Sequence, residues 1–461
     1  MSEAPVVIAI DCGAESGRVI VASEQDGGWQ LDEVSRFVTG GRDSNHGRLQ
    51  WDLEAIWDGI RNGLQGAGER YGERIRGVGA DTWGVDYVLT DAHGTAIAPA
   101  WCYRDARTAG WPERAAQMVD AAEWWQRTGI RPLVFNTAYQ LLAHYDQAPA
   151  ELERARHCLL MSDWINAQLS GVCVNEWTNA STTQLQRAGG AGWDTELLQH
   201  LGLPTHLFSD PVRSGTVLGP VKPGLGLPTH AQVVAAPGHD TAAAVAAMPE
   251  NADGAAFISC GTWSLMGVVR PEPVLTEAAR TAQLSNELAW DGQTRLLKNI
   301  AGLWVVQECR RAFAADGRDY DYSELTERAR AAADAAAVLD VDDPRFFAPG
   351  SDADPYLERI TNWYAERSLS APASDGEIIR AALRGIAQAY ADTAAQLGDI
   401  TGSPITRIHL IGGGSRNELL VEFTAEATGC EVIAGPVEAT ALGTAKVVFE
   451  GLAQGRVYAA R

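Results

Sequence analysis

Gly238-His239-Asp240-Thr241 follows a short apolar run, Val233–Ala236, and opens an alanine-rich stretch, Thr241–Ala247. A carboxylate at such a strand-to-helix turn can accept the proton of an attacking hydroxyl. Phosphoryl transfer needs that acceptor, Mg²⁺ and positioning, and little else from the protein. Asp240 is also well placed to cap the helix that follows, as Asp often does, and on the local pattern alone the cap reading is the stronger. Two further turns suit anion binding. Asp11-Cys12-Gly13-Ala14-Glu15-Ser16 and Ser259-Cys260-Gly261-Thr262-Trp263-Ser264 each end one apolar strand pattern and lead into another, with Cys, Gly and Ser in register. A Gly-bearing bend presents backbone N–H groups in one direction, which cradles phosphate oxygens. Ser16, Thr262 and Ser264 add hydroxyl donors, Arg18 adds a fork of N–H groups, and Asp11 suits a water-mediated Mg²⁺ contact. Either turn alone reads as a tight hairpin; the pair reads as phosphate binding.

Two other groups carry weaker signals. Ile411-Gly412-Gly413-Gly414-Ser415-Arg416-Asn417 ends a strand pattern and opens a helix, where a flat base or ribose could lie against the backbone. Its spacing is not GxGxxG, so a dinucleotide fold is not supported. Trp83, in Asp81-Thr82-Trp83-Gly84-Val85-Asp86, sits beside a strand glycine, and its ring could stack on a sugar; most of the fifteen tryptophans must be core. Cys260 reads better as a small buried thiol than as a nucleophile, because no nearby histidine answers it.

These groups need elements to hold them. The pattern predicts strands over Val6–Asp11 and Val19–Ala22, a helix over Leu53–Glu69 with Ile56, Ile60 and Leu64 on one face, and a strand over Ile75–Leu89 interrupted at Gly84. Residues 111–169 read as mainly helical. A second block starts near Gly254, with strands at Ala255–Ser259 and Leu265–Val269. Helical patterns follow at 303–338 and 377–398. A strand at Ile405–Ile411 then leads to helices at Asn417–Thr428 and Ala439–Glu450. The echo between residues 11–16 and 259–264 predicts two halves of similar build, about 1–245 and 246–461, facing a central cleft.

Composition narrows the class. At 461 residues, 46% hydrophobic and 21% charged, the chain suits a two-domain globular enzyme. A net charge of −22 argues against nucleic-acid and anionic-membrane partners. No apolar run approaches the ~18 residues of a membrane span, and the first residues lack a signal-peptide pattern. With three lysines, Lys222, Lys298 and Lys446, none preceded by glycine, the P-loop is absent. Seven cysteines without a CxxC pair read as reduced thiols of a cytoplasmic protein, and the nine histidines show no HExxH or HxH grouping.

In order, DCGAESGRV (11–19), DTWGVDYVL (81–89), YRDART (103–108), EWTNASTTQL (176–185), GHDTAAAV (238–245), SCGTWSLMG (259–267), LKNIAGLW (297–304), LIGGGSRN (410–417) and AGPVEATALG (434–443) resemble the FGGY family of carbohydrate kinases. The resemblance covers nearly the whole chain. It implies an α/β fold of two actin-like (ribonuclease H-like) domains, the superfamily of hexokinase and heat-shock chaperones. The N-terminal domain would bind sugar and phosphate and the C-terminal domain nucleotide. It implies ATP and Mg²⁺ as cofactors and a small-molecule ketose as partner. Ala14, Glu15, Ser16, Gly17, Arg18, Thr262, Gln307 and Gly413 would touch ATP. Gly84, His239, Asp240, Thr241 and Asn299 would touch the ketose, with Asp240 the proton acceptor. The implied reaction is phosphorylation of L-rhamnulose at its C1 hydroxyl; another ketose such as L-fuculose or xylulose is the alternative, and an actin-like ATPase without sugar a further one. Glu15 departs from the pattern, standing where a small hydroxyl is expected. Its carboxylate would repel phosphate unless it points away or reaches Mg²⁺.

Overall fold

Val6–Cys12 (β1) is buried along its whole length, as an apolar strand between neighbours on both sides must be. Ser16–Gln25 (β2) and Gly28–Val38 (β3) follow as antiparallel neighbours. The helix Leu53–Tyr71 (α1) starts on Asp52, whose carboxylate accepts the Ala55 N–H at 2.9 Å, and buries Ile56, Ile60 and Leu64 on one face. Ile75–Thr82 (β4) runs parallel to β1. Thr216–Pro220 (β5) and Gln232–Ala235 (β6) complete a six-stranded sheet of order β3-β2-β1-β4-β6-β5. β6 runs into the helix Asp240–Ala246 (α2).

The computed structural model describes residues 4–25, 27–43, 47–190, 192–249 and 254–459. Two compact units emerge. The first comprises Met1–Met248, Val269–Leu296 and Ala439–Arg461; the second comprises Pro249–Val268 and Leu297–Glu438. Ala255–Cys260 (β7) and Trp263–Arg270 (β8) form an antiparallel pair. The strand Thr294–Ala301 (β9), the helices Trp304–Ala315 (α3) and Asp375–Thr401 (α4), and Arg407–Ile411 (β10) come next. Glu418–Thr428 (α5) and Glu431–Ala434 (β11) follow, and the strands run β9-β8-β7-β10-β11. The last helix, Ala439–Gln454 (α6), belongs to the first unit. There it lies so close to α2 that a Cβ on Gly443 would overlap the Ala243 carbonyl oxygen.

The echo in the sequence becomes an echo in topology. β1 pairs antiparallel with β2 and parallel with β4, which pairs parallel with β6. β7 pairs antiparallel with β8 and parallel with β10, which pairs parallel with β11. The Gly13 N–H bonds the Ser16 carbonyl at 3.0 Å, and the Gly261 N–H bonds the Trp263 carbonyl at 2.9 Å.

Two expectations change. Ile75–Leu89 is not one strand: β4 ends at Thr82, and Tyr87–Thr90 joins a separate two-stranded sheet with His157–Leu160. Between them Val85 takes φ 68°, a left-handed conformation that no ladder tolerates. The partner strand His157–Leu160 lies inside the stretch read as helical; four apolar residues are too few for periodicity to tell strand from helix.

Candidate active site

The turn between β6 and α2 is built around a buried carboxylate. Glu176 Oε2 accepts the N–H groups of Gly238 (2.9 Å), Thr178 (2.9 Å) and Asn179 (3.2 Å) and the Thr178 hydroxyl (2.6 Å), while Oε1 takes the Ser214 hydroxyl at 2.5 Å. The Gly238 carbonyl accepts the Thr82 N–H at 2.9 Å and the Asn179 amide at 3.2 Å. A Cβ on Gly238 would stand 2.5 Å from the Ser162 hydroxyl, so only glycine fits here. Burial raises the Glu176 pKa, and the hydrogen bonds from Ser214, Thr178, Gly238 and Asn179 oppose it.

This anchoring aims the next two residues. Asp240 is the first residue of α2, and His239 stands at the cap position without a side-chain capping bond. Asp240 Oδ1 accepts the Thr241 N–H (2.5 Å) and hydroxyl (3.1 Å) and lies 3.3 Å from His239 Nε2. All three contacts fall on Oδ1. Oδ2 has no protein partner among the described residues, and the side chain is 38% exposed. A carboxylate with one oxygen satisfied by the protein and the other open can take up a proton. The imidazole is held from behind: Nδ1 lies 3.1 Å from Glu287 Oε2 and 3.2 Å from Arg295 Nη2, which bonds Glu287 at 2.9 Å. Burial acts to raise the Glu287 pKa, but the adjacent Arg295 guanidinium and the His239 imidazole outweigh it and hold the carboxyl below its usual range. Gly84 presents its Cα to the same imidazole; a Cβ there would lie 3.4 Å from Nε2.

In the same unit, Asp11 and Asp81 are partners in the β1–β4 register. Arg18 Nη2 donates to Asp11 at 2.5 Å, and Thr444 of α6 donates to Asp81 Oδ2 at 2.6 Å. Asp81 Oδ1 is buried with no hydrogen-bond partner. Burial, and then the charges of Asp11 and Asp240, push the Asp81 pKa well up. The turn after β1 is closed by Thr39, whose hydroxyl reaches the Gly13 carbonyl at 2.5 Å and whose N–H bonds the Glu15 carbonyl at 3.2 Å. Ala14 packs against the core beneath the sheet and Ser16 starts β2. Gly17 is small for a packing reason: a Cβ would overlap the Phe37 ring.

In the second unit, the turn Gly261-Thr262 is tied to the start of α3. The Leu303 N–H bonds the Gly261 carbonyl at 3.1 Å, the Trp304 N–H bonds the Thr262 carbonyl at 2.9 Å, and the Gln307 amide reaches the Thr262 hydroxyl at 3.4 Å. The three glycines after β10 have different reasons. Gly412 takes φ 83°. Gly414 leaves no room for a Cβ, which would overlap Cys260 Sγ. Gly413 has neither constraint: a Cβ would meet nothing within 4 Å. Asn299 is half-buried on β9.

Sequence models of the FGGY family of carbohydrate kinases match the chain twice, the N-terminal domain over residues 6–247 and the C-terminal domain over residues 256–449. The chain belongs to the FGGY family of carbohydrate kinases. Among curated relatives it is 38% identical over 439 residues to a rhamnulokinase of Yersinia pestis (strain Pestoides F), covering 95% of this chain and 88% of that one. It is 38% identical over 440 residues to a rhamnulokinase of Klebsiella pneumoniae (strain 342), covering 95% and 87%. Among solved structures it resembles ligand-bound xylulose kinase from Lactobacillus acidophilus (TM-score 0.79, 15% identity, 98% of this chain and 90% of that chain). It also resembles Plasmodium falciparum glycerol kinase with ADP (TM-score 0.76, 15% identity, 99% and 93%). The fold is thus the actin-like fold of these FGGY kinases, and the chain is an ATP-dependent carbohydrate kinase.

Within this FGGY kinase, Trp83 and Glu15 sit in environments the sequence did not specify. The Trp83 ring packs on Trp51 (centroids 4.2 Å apart) and is 6% exposed, so it is a core residue with little face to offer a sugar. Its indole N–H donates to Asp86 Oδ2 at 3.0 Å, which also takes the Trp51 indole (2.7 Å) and the Tyr103 N–H (3.1 Å); Gln140 reaches Oδ1 at 2.8 Å. Burial raises the Asp86 pKa to about 6 despite these donors. Glu15 is exposed, its carboxylate 4.0 Å from Arg104. The sequence does not single out Glu176, Glu287 and Arg295, which build the Asp240 turn: Glu176 lies in EWTNASTTQL, and no spacing rule connects Glu287 or Arg295 to His239. No helix among the described residues is long and apolar enough to cross a membrane.

Proposed function

We propose that this FGGY kinase transfers the γ-phosphoryl group of ATP to the C1 hydroxyl of L-rhamnulose, giving L-rhamnulose 1-phosphate and ADP, with Asp240 as general base. The ketose rests on similarity to relatives named rhamnulokinase. The chemistry rests on one observation: the Asp240 carboxylate has Oδ1 saturated by Thr241 and His239 and Oδ2 open. Oδ2 takes the hydroxyl proton as the sugar oxygen bonds the γ-phosphorus and the bond to ADP breaks. In this reading Gly84, His239 and Thr241, which lie beside Asp240 in the first unit, would touch the ketose, and Asn299 is proposed as a further ketose contact.

Ser16, Arg18 and the turn N–H groups are the phosphate donors of the first unit. Thr262, Gln307 and the open backbone at Gly413 are the nucleotide contacts of the second. Asp11 would hold Mg²⁺ through water. The fit is supported by its register neighbour Asp81, whose buried Oδ1 lacks a partner, and by the ion's need for only one or two carboxylates. When bound, Mg²⁺ would offset charge on the phosphate oxygens. Arg18 keeps Asp11 aligned and offsets its negative charge.

A coupled ADP-release assay across L-rhamnulose, L-fuculose, L- and D-xylulose, L-ribulose and glycerol tests the reading. The highest kcat/KM is expected with L-rhamnulose. A preference for another ketose would refute the substrate, and ADP release independent of any sugar would refute the kinase chemistry.

A further inference from the structure

A guanidinium has five N–H donors and no acceptor. Where Arg295 Nη2 bonds His239 Nδ1 at 3.2 Å, Nδ1 must therefore be the acceptor and carry no proton. The imidazole proton then sits on Nε2, which faces Asp240 Oδ1 at 3.3 Å. From this geometry we infer that Arg295 is a positioning residue that fixes His239 as the neutral Nε2–H tautomer, so that the imidazole occupies Asp240 Oδ1 and leaves Oδ2 as the basic atom.

The parts support one another. Arg295 is wholly buried, where an arginine needs an anionic partner, and Glu287 supplies it at 2.9 Å. The two hydrogens of Nη2 are thereby assigned, one to Glu287 and one to His239. Nε donates to the Leu288 carbonyl at 3.0 Å, which sets the plane of the guanidinium. Glu287 Oε2 stands only 3.1 Å from Nδ1, so without Arg295 the same carboxylate would draw the imidazole proton to Nδ1. Nε2 would then turn a lone pair toward the Asp240 carboxylate and repel it. The arrangement matters because a hydrogen-bonded catalytic pair in the wrong tautomer loses orders of magnitude in rate.

The inference rests on Asp240 being the base, and the experiment separates the two. ¹⁵N-histidine-labelled full-length protein is examined by long-range ¹H–¹⁵N correlation near neutral pH, with His239 assigned by the signal lost in His239→Gln. The wild-type protein is expected to show neutral His239 protonated on Nε2. Arg295→Met is expected to move the proton to Nδ1 and to lower kcat with ketose and ATP at least about tenfold, with little change in KM for ATP. An Nδ1–H tautomer or an imidazolium in the wild-type protein would overturn the inference, and so would an Arg295→Met protein with unchanged tautomer and kcat. Should Arg295→Met fail to fold, the wild-type spectrum decides alone. If Asp240→Asn retains turnover, the base assignment has failed. If Asp240→Asn is inactive while the His239 tautomer is not Nε2–H, only the role of Arg295 has failed.

Discussion

Asp240→Asn separates a base from a helix cap. The asparagine carbonyl can stand where Oδ1 stands and keep the Thr241 N–H and hydroxyl, at 2.5 and 3.1 Å in the native turn. Its amide replaces Oδ2, which has no protein partner among the described residues, so no buried group is stranded. With the side chain 38% exposed, the cost in stability should stay within about 0.5–1 kcal/mol. The proton acceptor, however, is gone. General-base help is worth ~10²–10⁴-fold, or about 2.7–5.4 kcal/mol of barrier. The expected result is a protein that melts within a few degrees of wild type, binds nucleotide as before, and releases ADP from ATP and ketose at least a hundredfold more slowly. Thermal unfolding, nucleotide titration and coupled ADP release on one preparation measure all three. A stable variant with near-normal turnover would refute the reasoning and return Asp240 to a structural role.

The glycines after β10 give a paired test: Gly413→Ala should leave the melting temperature unchanged but raise the KM for ATP, because its Cβ meets no protein atom. Gly414→Ala should cost about 1–3 kcal/mol of stability by overlap with Cys260; equal melting temperatures for the two would be inconsistent with this. Asp86 gives a pH test. Its folded pKa of about 6 lies above the 3.8 usual for an aspartate, so between those values the native state holds a proton that the unfolded chain has lost. Stability should therefore fall as pH rises from about 4 to 6, by an amount of order 3 kcal/mol, and this contribution should level off above. Denaturant midpoints of wild type and Asp86→Asn across that range should diverge accordingly, and parallel profiles would contradict it. Glu15→Ser should change ATP-dependent activity by no more than a few-fold, since the carboxylate is exposed and near Arg104. A large gain in ATP affinity would show instead that Glu15 repels the nucleotide.

The sequence alone determined what is local or repeated. Apolar runs too short for helices and bounded by glycine marked β1, β6, β7 and β10. Periodic apolar positions marked α1, because a helix face follows from 3.6-residue spacing whatever it packs on. The in-register Cys-Gly turns at 11–16 and 259–264 revealed the duplicated strand pairing. Ordered motifs along most of the chain disclosed the family, since many weak matches in series are far more specific than any one. What the sequence could not disclose depends on approach through space. Trp83 looked like a sugar platform and is packed on Trp51, because which face of a ring is covered is decided by a residue 32 positions away. The three glycines at 412–414 look alike in sequence, yet one answers to φ, one to Cys260 and one to neither. Glu176 is 62 residues from the Gly238 N–H it accepts, and Arg295 is 56 from the imidazole it bonds. A hydrogen bond has no periodicity along the chain, and only the folded backbone brings donor and acceptor to within 3 Å or so.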